Sequence, residues 1–574
     1  MSDHKMQASS FDPVSLEIMW SRLINITEEC WITILKTAFS LIIGEAQDFG
    51  CELLDAEGET LAHSPRSMPV FNLTLPRAVK ALLAEFPPET LQPGDVLITN
   101  DPWLCAGHLF DVALVTPVFK EGRLVGHIGS IAHWSDIGGT RDALSAREIY
   151  EEGLQIPPLM LYRGGEPNRD LYRLIERNVR KSEMVLGDLQ AQVSANEVGA
   201  ERLLHFMDEY GLEELSGLAH VIQDRSEAAM REAIQAVPDG VYSATVDFDG
   251  IGDPMSLTTH VTVEGDQMTV DWDAPDQLER GGINCTLNYS AAHCVYALKS
   301  MLTPDIPSNA GCFRPIEVYA PEGSVLNCRY PASVNIRTMT GWYCGPALFK
   351  ALEGALPERV QAFTGLPVSM GAYGYGPDSL PFNDHLFQGG GQGAGAHGDG
   401  KSALLYPTSA ANTSVEMFEM RVPLLVEMKE LLADSAGPGR HRGGLGQRVQ
   451  MRKLFDDDRA VLVTWPLQGI LKEISGLAGG RSGSLTNLIV EEGDRRVEGH
   501  AVGSLVELRR SAQLATADLP GGSGFGDPRE RPLELVQADF DEGYLSVEGL
   551  AAYGCRLDAS GRVQRDPAGE QGVS

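Results

Sequence analysis

Gly107-His108-Leu109-Phe110-Asp111 and the run Ala132-His133-Trp134-Ser135-Asp136 hold the residue types best suited to do chemistry in this chain. Two imidazoles and a carboxylate are a common ligand set for Zn²⁺, Mn²⁺ or Fe²⁺, with positions left open for water or substrate. Whether they meet depends on the chain between them. Val112 to Phe119 and Leu124 to His133 read as strands, and Lys120-Glu121-Gly122-Arg123 as the turn that joins them. In such a hairpin, paired positions add to about 243 or 244, so Asp111 lies opposite Ala132 or His133. Cross-strand Cβ atoms are only ~4.5–5.5 Å apart, close enough for both side chains to reach one ion. His108 precedes Asp111 on a stretch where Gly107 and the Asn100-Asp101-Pro102 turn imply irregular backbone able to fold back. A His-x-x-Asp on a loop is also common as plain surface hydrogen bonding, and spacing alone does not separate the two readings. His127 shares the face of His133, but the intervening strand places it ~20 Å away, so it reads as structural. Asp136 either orients a ligand imidazole or caps the following turn.

The elements that must position these groups are legible to different degrees. Asp12-Pro13 is a good helix start, and Leu16, Met19, Trp20, Leu23, Ile24 and Thr27 keep helical spacing, which predicts an amphipathic helix to about Lys36. Gly50 to Leu61 reads as a hairpin turning at Asp55-Ala56-Glu57-Gly58, and Val96 to Thr99 as a strand. Residues 168 to about 236 read as helical, broken near Gly211. Val241 to Phe248 alternates as a strand, and Val261-Thr262-Val263 with Met268 to Trp272 as a hairpin. Helices are expected over Ser290–Leu302 and Gly341–Leu356. Beyond Gly365 the chain turns glycine-rich, with short β segments between the glycine runs, and it frays after about Leu557. The expected class is α+β in three regions. Residues 1–236 form an N-terminal α+β region carrying the metal site, 237–365 a central β-rich region with helices, and 366–574 a glycine-rich β region.

Composition narrows the function. The chain has 574 residues and a formal charge of −33, so nucleic acid and anionic lipid are poor partners. Met1 to Phe11 is polar with no apolar core of a secretory signal, and apolar stretches such as Ala38 to Gly44 are too short to span a bilayer. Nine cysteines without a Cys-x-x-Cys pair read as reduced thiols, mostly in the core of a cytoplasmic protein.

Gly395-Ala396-His397-Gly398-Asp399-Gly400-Lys401-Ser402 matches the P-loop pattern letter for letter. A phosphate cradle, however, needs an apolar strand before it and a helix after it. Here Gln388 to Gln392 precedes it and Pro407 soon follows, so it reads as a glycine-rich loop, not a nucleotide site.

Taken in order, the motifs resemble those of the hydantoinase B/5-oxoprolinase B family. They include Thr99-Asn100-Asp101-Pro102, Gly107 to Asp111 and Ala132 to Gly139; Asn178-Val179-Arg180 with Gly187 to Gln192; and Ala320 to Asn327. Further along come Asp434 to Gly439, Arg442 to Gly446, Gly521 to Pro528 and Val547 to Gly554, so the resemblance runs from about residue 12 to 556. That family includes B subunits of ATP-dependent hydantoinases, 5-oxoprolinases and lactamases, and is related to acetone and acetophenone carboxylase subunits. The resemblance implies a mononuclear divalent metal, Zn or Mn, held by His108, Asp111 and His133, with Asp48 as a further carboxylate. It also implies ATP-Mg bound by a separate hydantoinase A-type subunit of actin/hexokinase-like fold, in a hetero-oligomer. That partner would phosphorylate the carbonyl oxygen of a small cyclic amide, and this chain would supply the metal-activated water. One departure stands out: where relatives commonly have histidine after a Pro-Val pair, this chain has Phe71. No catalytic acid or base is assigned. A ketone carboxylase subunit and a non-catalytic assembly subunit are the other readings.

Overall fold

The computed structural model describes residues 11–376, 379–465, 469–499 and 505–566. The polar N-terminal stretch up to residue 10 and the tail from 567 lie outside the described residues. The fold is mixed α+β and divides into two compact units. The first comprises residues 1–241, 260–341 and 408–410, and the second residues 242–259, 342–407 and 411–574. Among the described residues no helix is long and apolar enough to cross a membrane. All nine cysteines are buried free thiols.

The first unit is organised by a seven-stranded antiparallel sheet. Its strands are β1 (Phe49–Leu54), β2 (Thr60–His63), β3 (Val96–Thr99), β4 (Asp111–Lys120), β5 (Arg123–His133), β6 (Leu159–Arg163) and β7 (Glu166–Pro167), in the order β2-β1-β5-β4-β3-β6-β7. Helix α1 (Pro13–Thr37) starts where Asp12 caps it, the carboxylate accepting the N–H groups of Val14 and Ser15 at 3.1 Å each. It packs with α3 (Ser182–Tyr210) on the face of β5 that presents Ile128, where Gly199 comes so close that a Cβ would lie 2.5 Å from Cys30 Sγ. Helix α2 (Phe71–Glu85) covers the opposite face, with Leu75 against Gly129. The sequence reading assigned no element there; the helix tolerates Pro76 near its start.

The helical stretch from residue 168 is interrupted twice. The break at Gly211, in the left-handed region at φ 64°, is the expected one. The other, at residues 179–181, separates Arg169–Asn178 from α3 and lies beside the Arg180–Asp136 ion pair. Helix α4 (Ser216–Gln235) follows, and α5 (Leu287–Leu302) is almost wholly buried. The helix expected over 341–356 is shorter, Cys344–Leu352.

The second unit holds a five-stranded and a four-stranded sheet, the latter formed by Pro381–Gln388, Val368–Tyr375, Val461–Thr464 and Leu505–Leu508. A short ribbon pairs Cys555–Leu557 with Val563–Arg565, the second strand lying in the stretch expected to fray. Between the sheets run extended glycine segments joined by main-chain bonds, such as Gly444 N–H to Gln392 O at 2.7 Å and Gly522 N–H to Gly444 O at 2.9 Å. They approach so closely that a Cβ on Gly443 would lie 1.8 Å from Gly522 O, and one on Gly391 1.9 Å from Gly444 O. Glycine is required here for the reason it is required at a collagen axis: no side chain fits. The P-loop look-alike belongs to this layer. Asp399 receives both terminal nitrogens of Arg531 at 2.8 Å, and no helix follows Lys401, so its amides are not arranged to cradle a phosphate.

These contacts make glycine substitutions discriminating. Gly443→Ala is expected to destabilise the chain by about 3 kcal/mol or more, because overpacking against rigid backbone cannot relax. Gly398→Ala, with nothing within 4 Å of its added Cβ, should stay near wild type. Chemical denaturation of both variants checks the contrast, and equal stability of the two would refute it.

Candidate metal centre

The β4–β5 hairpin turns at Lys120–Arg123, and a bulge at Val118/Phe119 shifts the pairing by one residue on the far side of the turn. That bulge is why His133, and not Ala132, stands opposite Asp111. Side chains alternate along the strand, so His133 shares a face with Gly129 and therefore with α2. Asp48 arrives on that face from the next strand. Its carbonyl accepts the His133 N–H at 3.1 Å, while Phe49, paired with Ala132, turns into the α1 core. Phe71, at the start of α2, packs over Gly50 on this side, its Cβ 3.2 Å from where a Gly50 Cβ would sit.

His108, Asp111 and His133 converge, with one ligand atom from each lying within 4.8 Å of the others. Asp111 Oδ1 is 3.0 Å from His108 Nε2 and 3.1 Å from His133 Nδ1. Asp48 stands further back, its Oδ2 3.8 Å from His133 Nδ1. Phe110 stacks on the His133 ring at 5.1 Å and 13°. Gly107, at φ 84°, lets the loop fold back onto the sheet, and a Cβ there would meet Tyr289 Cβ at 2.8 Å.

The hydrogen bonds fix which atoms this cluster presents. His108 Nδ1 lies 2.9 Å from the Asn335 carbonyl, which only accepts, so the ring's proton sits on Nδ1. Burial, reinforced by the nearby Arg337 charge, lowers the His108 pKa to about 4, so the ring is neutral at physiological pH. Its buried Nε2 makes no hydrogen bond, and its lone pair faces the Asp111 oxygen. Burial alone would raise the Asp111 carboxyl, but the charges and hydrogen bonds around it, with the Arg337 guanidinium on Oδ2, outweigh it and hold it well below the usual range. A lone pair and an anionic oxygen at 3.0 Å repel unless a cation lies between them. Two nitrogens and one carboxylate oxygen fit a divalent transition ion.

Other expected residues are used differently. Asp136 Oδ1 pairs with Arg180 Nη1 at 2.6 Å and accepts the Gly138 N–H at 3.4 Å, so its carboxylate serves the turn after β5. The bend after His133 carries Asp136 to Arg180. His127 is fully buried, with Nδ1 at 2.9 Å from the Asp55 carbonyl, deep in the sheet. The residue that motif reading missed is Arg337. Its Nη2 donates to Asp111 Oδ2 at 2.6 Å and its Nε to the Ala106 carbonyl at 2.7 Å. Its guanidinium lies over the Tyr289 ring at 4.2 Å. Nothing in the local pattern around Arg337 marks it.

Behind Tyr289 lies His293, in edge contact at 4.6 Å, its pKa lowered to about 3 by burial and by Arg337. His63 is likewise lowered to about 4 by burial and by Lys299. Both are neutral when folded and take up a proton near pH 6.5 when unfolded. Between pH 6.5 and about 4 the unfolded chain therefore binds more protons, and stability falls as pH falls. Thermal melts of the metal-free chain should show this decline, and His293→Leu should flatten it; an unchanged slope would contradict the assignment.

Residues 12–528 match the family model for hydantoinase B/oxoprolinase. The caprolactamase subunit beta of Pseudomonas jessenii is 30% identical, covering 97% of this chain and 98% of that protein. The crystal structure of the ATP-dependent caprolactamase from Pseudomonas jessenii superposes with a TM-score of 0.87 at 28% identity, over 98% of this chain and 99% of that one. The 5-oxoprolinase 1 of Arabidopsis thaliana is 28% identical over 92% of this chain, which spans 42% of that longer protein. A nucleotide-free acetone carboxylase shares the fold, with a TM-score of 0.85 at 19% identity over 99% of this chain and 83% of that one.

Proposed function

The chain belongs to the hydantoinase B/oxoprolinase family, and on that premise we propose that it is the metal-binding subunit of a two-component, ATP-dependent enzyme that opens a cyclic amide. The substrate class is a hydantoin, 5-oxoproline or a lactam. The observation that carries the reading is near full-length similarity to a caprolactamase subunit, together with the convergence of His108, Asp111 and His133. ATP is assigned to a hydantoinase A-type partner, consistent with the absence of P-loop geometry at Gly395–Ser402.

An unstrained amide resists water because resonance stabilises the carbonyl and nitrogen is a poor leaving group. Transfer of a phosphoryl group to the carbonyl oxygen in the partner gives an imidate-like electrophile. Water then adds at the activated carbon and the ring C–N bond opens, the nitrogen leaving as a protonated amine and the carbon becoming an acyl phosphate. A second water hydrolyses that acyl phosphate to carboxylate and free phosphate. A divalent ion, when bound, supplies Lewis acidity and lowers the pKa of water towards ~7. The chain's own residues hold it. His108 presents Nε2 because Asn335 fixes the proton on Nδ1, and Asp111 stays anionic because Arg337 lies against it. Burial and the neighbouring Asp111 charge raise the Asp48 carboxyl despite opposition from His133, which suits it to a fourth, exchangeable position. Phenylalanine at 71 sets an aromatic side chain beside Gly50, next to Ser67.

A second reading, a subunit of an ATP-dependent ketone carboxylase, is favoured by the fold shared with acetone carboxylase. Co-expression with the ATP-binding subunit, followed by assays on lactams, hydantoins and ketones, separates the two. ATP-dependent ring opening without bicarbonate incorporation is expected, and a carboxylated ketone product would establish the second reading instead. Independently, Asp111→Ala and His133→Ala should each lose the bound metal, measured by elemental analysis of the purified chain. Retention of one equivalent in both variants would sink the ligand assignment.

A further inference from the structure

Both candidate ligands on the 108–111 loop are gripped by a single distant stretch of chain. The Asn335 carbonyl takes the Nδ1 proton of His108 at 2.9 Å, and Arg337 Nη2 reaches Asp111 Oδ2 at 2.6 Å. That stretch is anchored in turn. Glu152 Oε1 accepts the N–H groups of Val334 at 2.8 Å and Asn335 at 2.9 Å, and the Ile336 N–H bonds Gly282 O at 2.8 Å. Glu152 is only 1% exposed, so its Oε1 has no solvent to turn to and is committed to those two N–H groups.

We infer that the segment Val334–Arg337, clamped by Glu152, is the positioning element of the metal centre. This rests on the metal reading of the site and extends it to residues with no metal-ligand signature. An acceptor-only carbonyl at Nδ1 dictates the tautomer of His108 and leaves Nε2 as a lone pair. The guanidinium occupies one oxygen of Asp111, so the other alone faces the imidazoles. Without it the carboxylate is free to swing and offer both oxygens to one ion. Arg337 is itself restrained by the Tyr289 ring below and by the Ala106 carbonyl. Gly107 leaves it room, since a Cβ there would lie 3.0 Å from Arg337 Cδ. Neither Glu152 nor Arg337 is assigned to touch the reacting atoms, so both are positioning residues.

The test uses the purified full-length chain titrated with Co²⁺, read by its visible absorption and by competition for affinity. Arg337→Met should weaken Co²⁺ binding about 10–100-fold and shift the visible bands as Asp111 changes from one-oxygen to two-oxygen ligation. Glu152→Ala should weaken binding on the same scale. Glu152→Gln, whose amide oxygen still accepts both N–H groups, should restore near wild-type affinity. Far-UV circular dichroism of each metal-free variant confirms that it folds. If Arg337→Met does not fold, the Glu152→Ala and Glu152→Gln pair decides. Wild-type affinity and bands in Arg337→Met, or equal losses in the two Glu152 variants, would overturn the inference. A wild-type chain that takes up no Co²⁺ overturns the metal reading itself, whereas wild-type uptake with unchanged variants overturns only the positioning role.

Discussion

At the heart of the first unit, a lone pair on His108 faces an anionic oxygen of Asp111 at 3.0 Å, inside protein and away from water. Such a contact repels, and the surrounding structure is arranged to maintain it. Asn335 keeps the His108 proton on the far nitrogen, and Arg337 keeps Asp111 ionised despite complete burial. The hairpin register brings in His133, and the left-handed Gly107 turns the loop back onto the sheet end. Each of these features is individually costly in a buried setting. Together they make sense as a site in which a cation supplies the missing attraction.

What the sequence disclosed follows from how local each constraint is. The α1 cap at Asp12, the strands from Val96 to His133 and the Lys120–Arg123 turn rest on neighbours in the chain, and they formed as the pattern indicated. The choice between Ala132 and His133 opposite Asp111 was open by one step, because a single bulge at Val118/Phe119 decides it and no residue type there announces a bulge. Asp136 illustrates the opposite limit. Its proximity in sequence to His133 left service to that ring and capping of the next turn both open, and only the fold shows that the chain carries it to Arg180. Arg337 and Glu152 were invisible because their partners are remote in sequence: Arg337 meets Asp111 and Ala106, and Glu152 meets Val334 and Asn335. Periodicity and motif spacing carry no information about such pairings.

The glycine-rich second unit shows how a motif can arise for steric reasons. Gly395 to Ser402 carries the letters of a phosphate loop, yet the glycines around it are set by backbone-to-backbone packing in which carbonyl oxygens stand where side chains would be. Asp399, central to the look-alike, is bound by Arg531, which also pairs with Asp539. That network ties the glycine layer to the helix Leu533–Asp541. The pattern is therefore explained by packing alone.

Charge links the metal reading to the chemistry proposed for that partner. The chain as a whole carries −33, which would repel a phosphorylated substrate at long range. Locally the balance differs. Arg337 offsets Asp111, the imidazole of His108 is neutral, and burial pushes the Asp48 carboxyl towards its neutral form. Adding a divalent ion to that set gives a net positive site at the end of the sheet. On the proposed function, that centre would attract a phosphorylated intermediate at short range while the net charge of the chain opposes anions at long range.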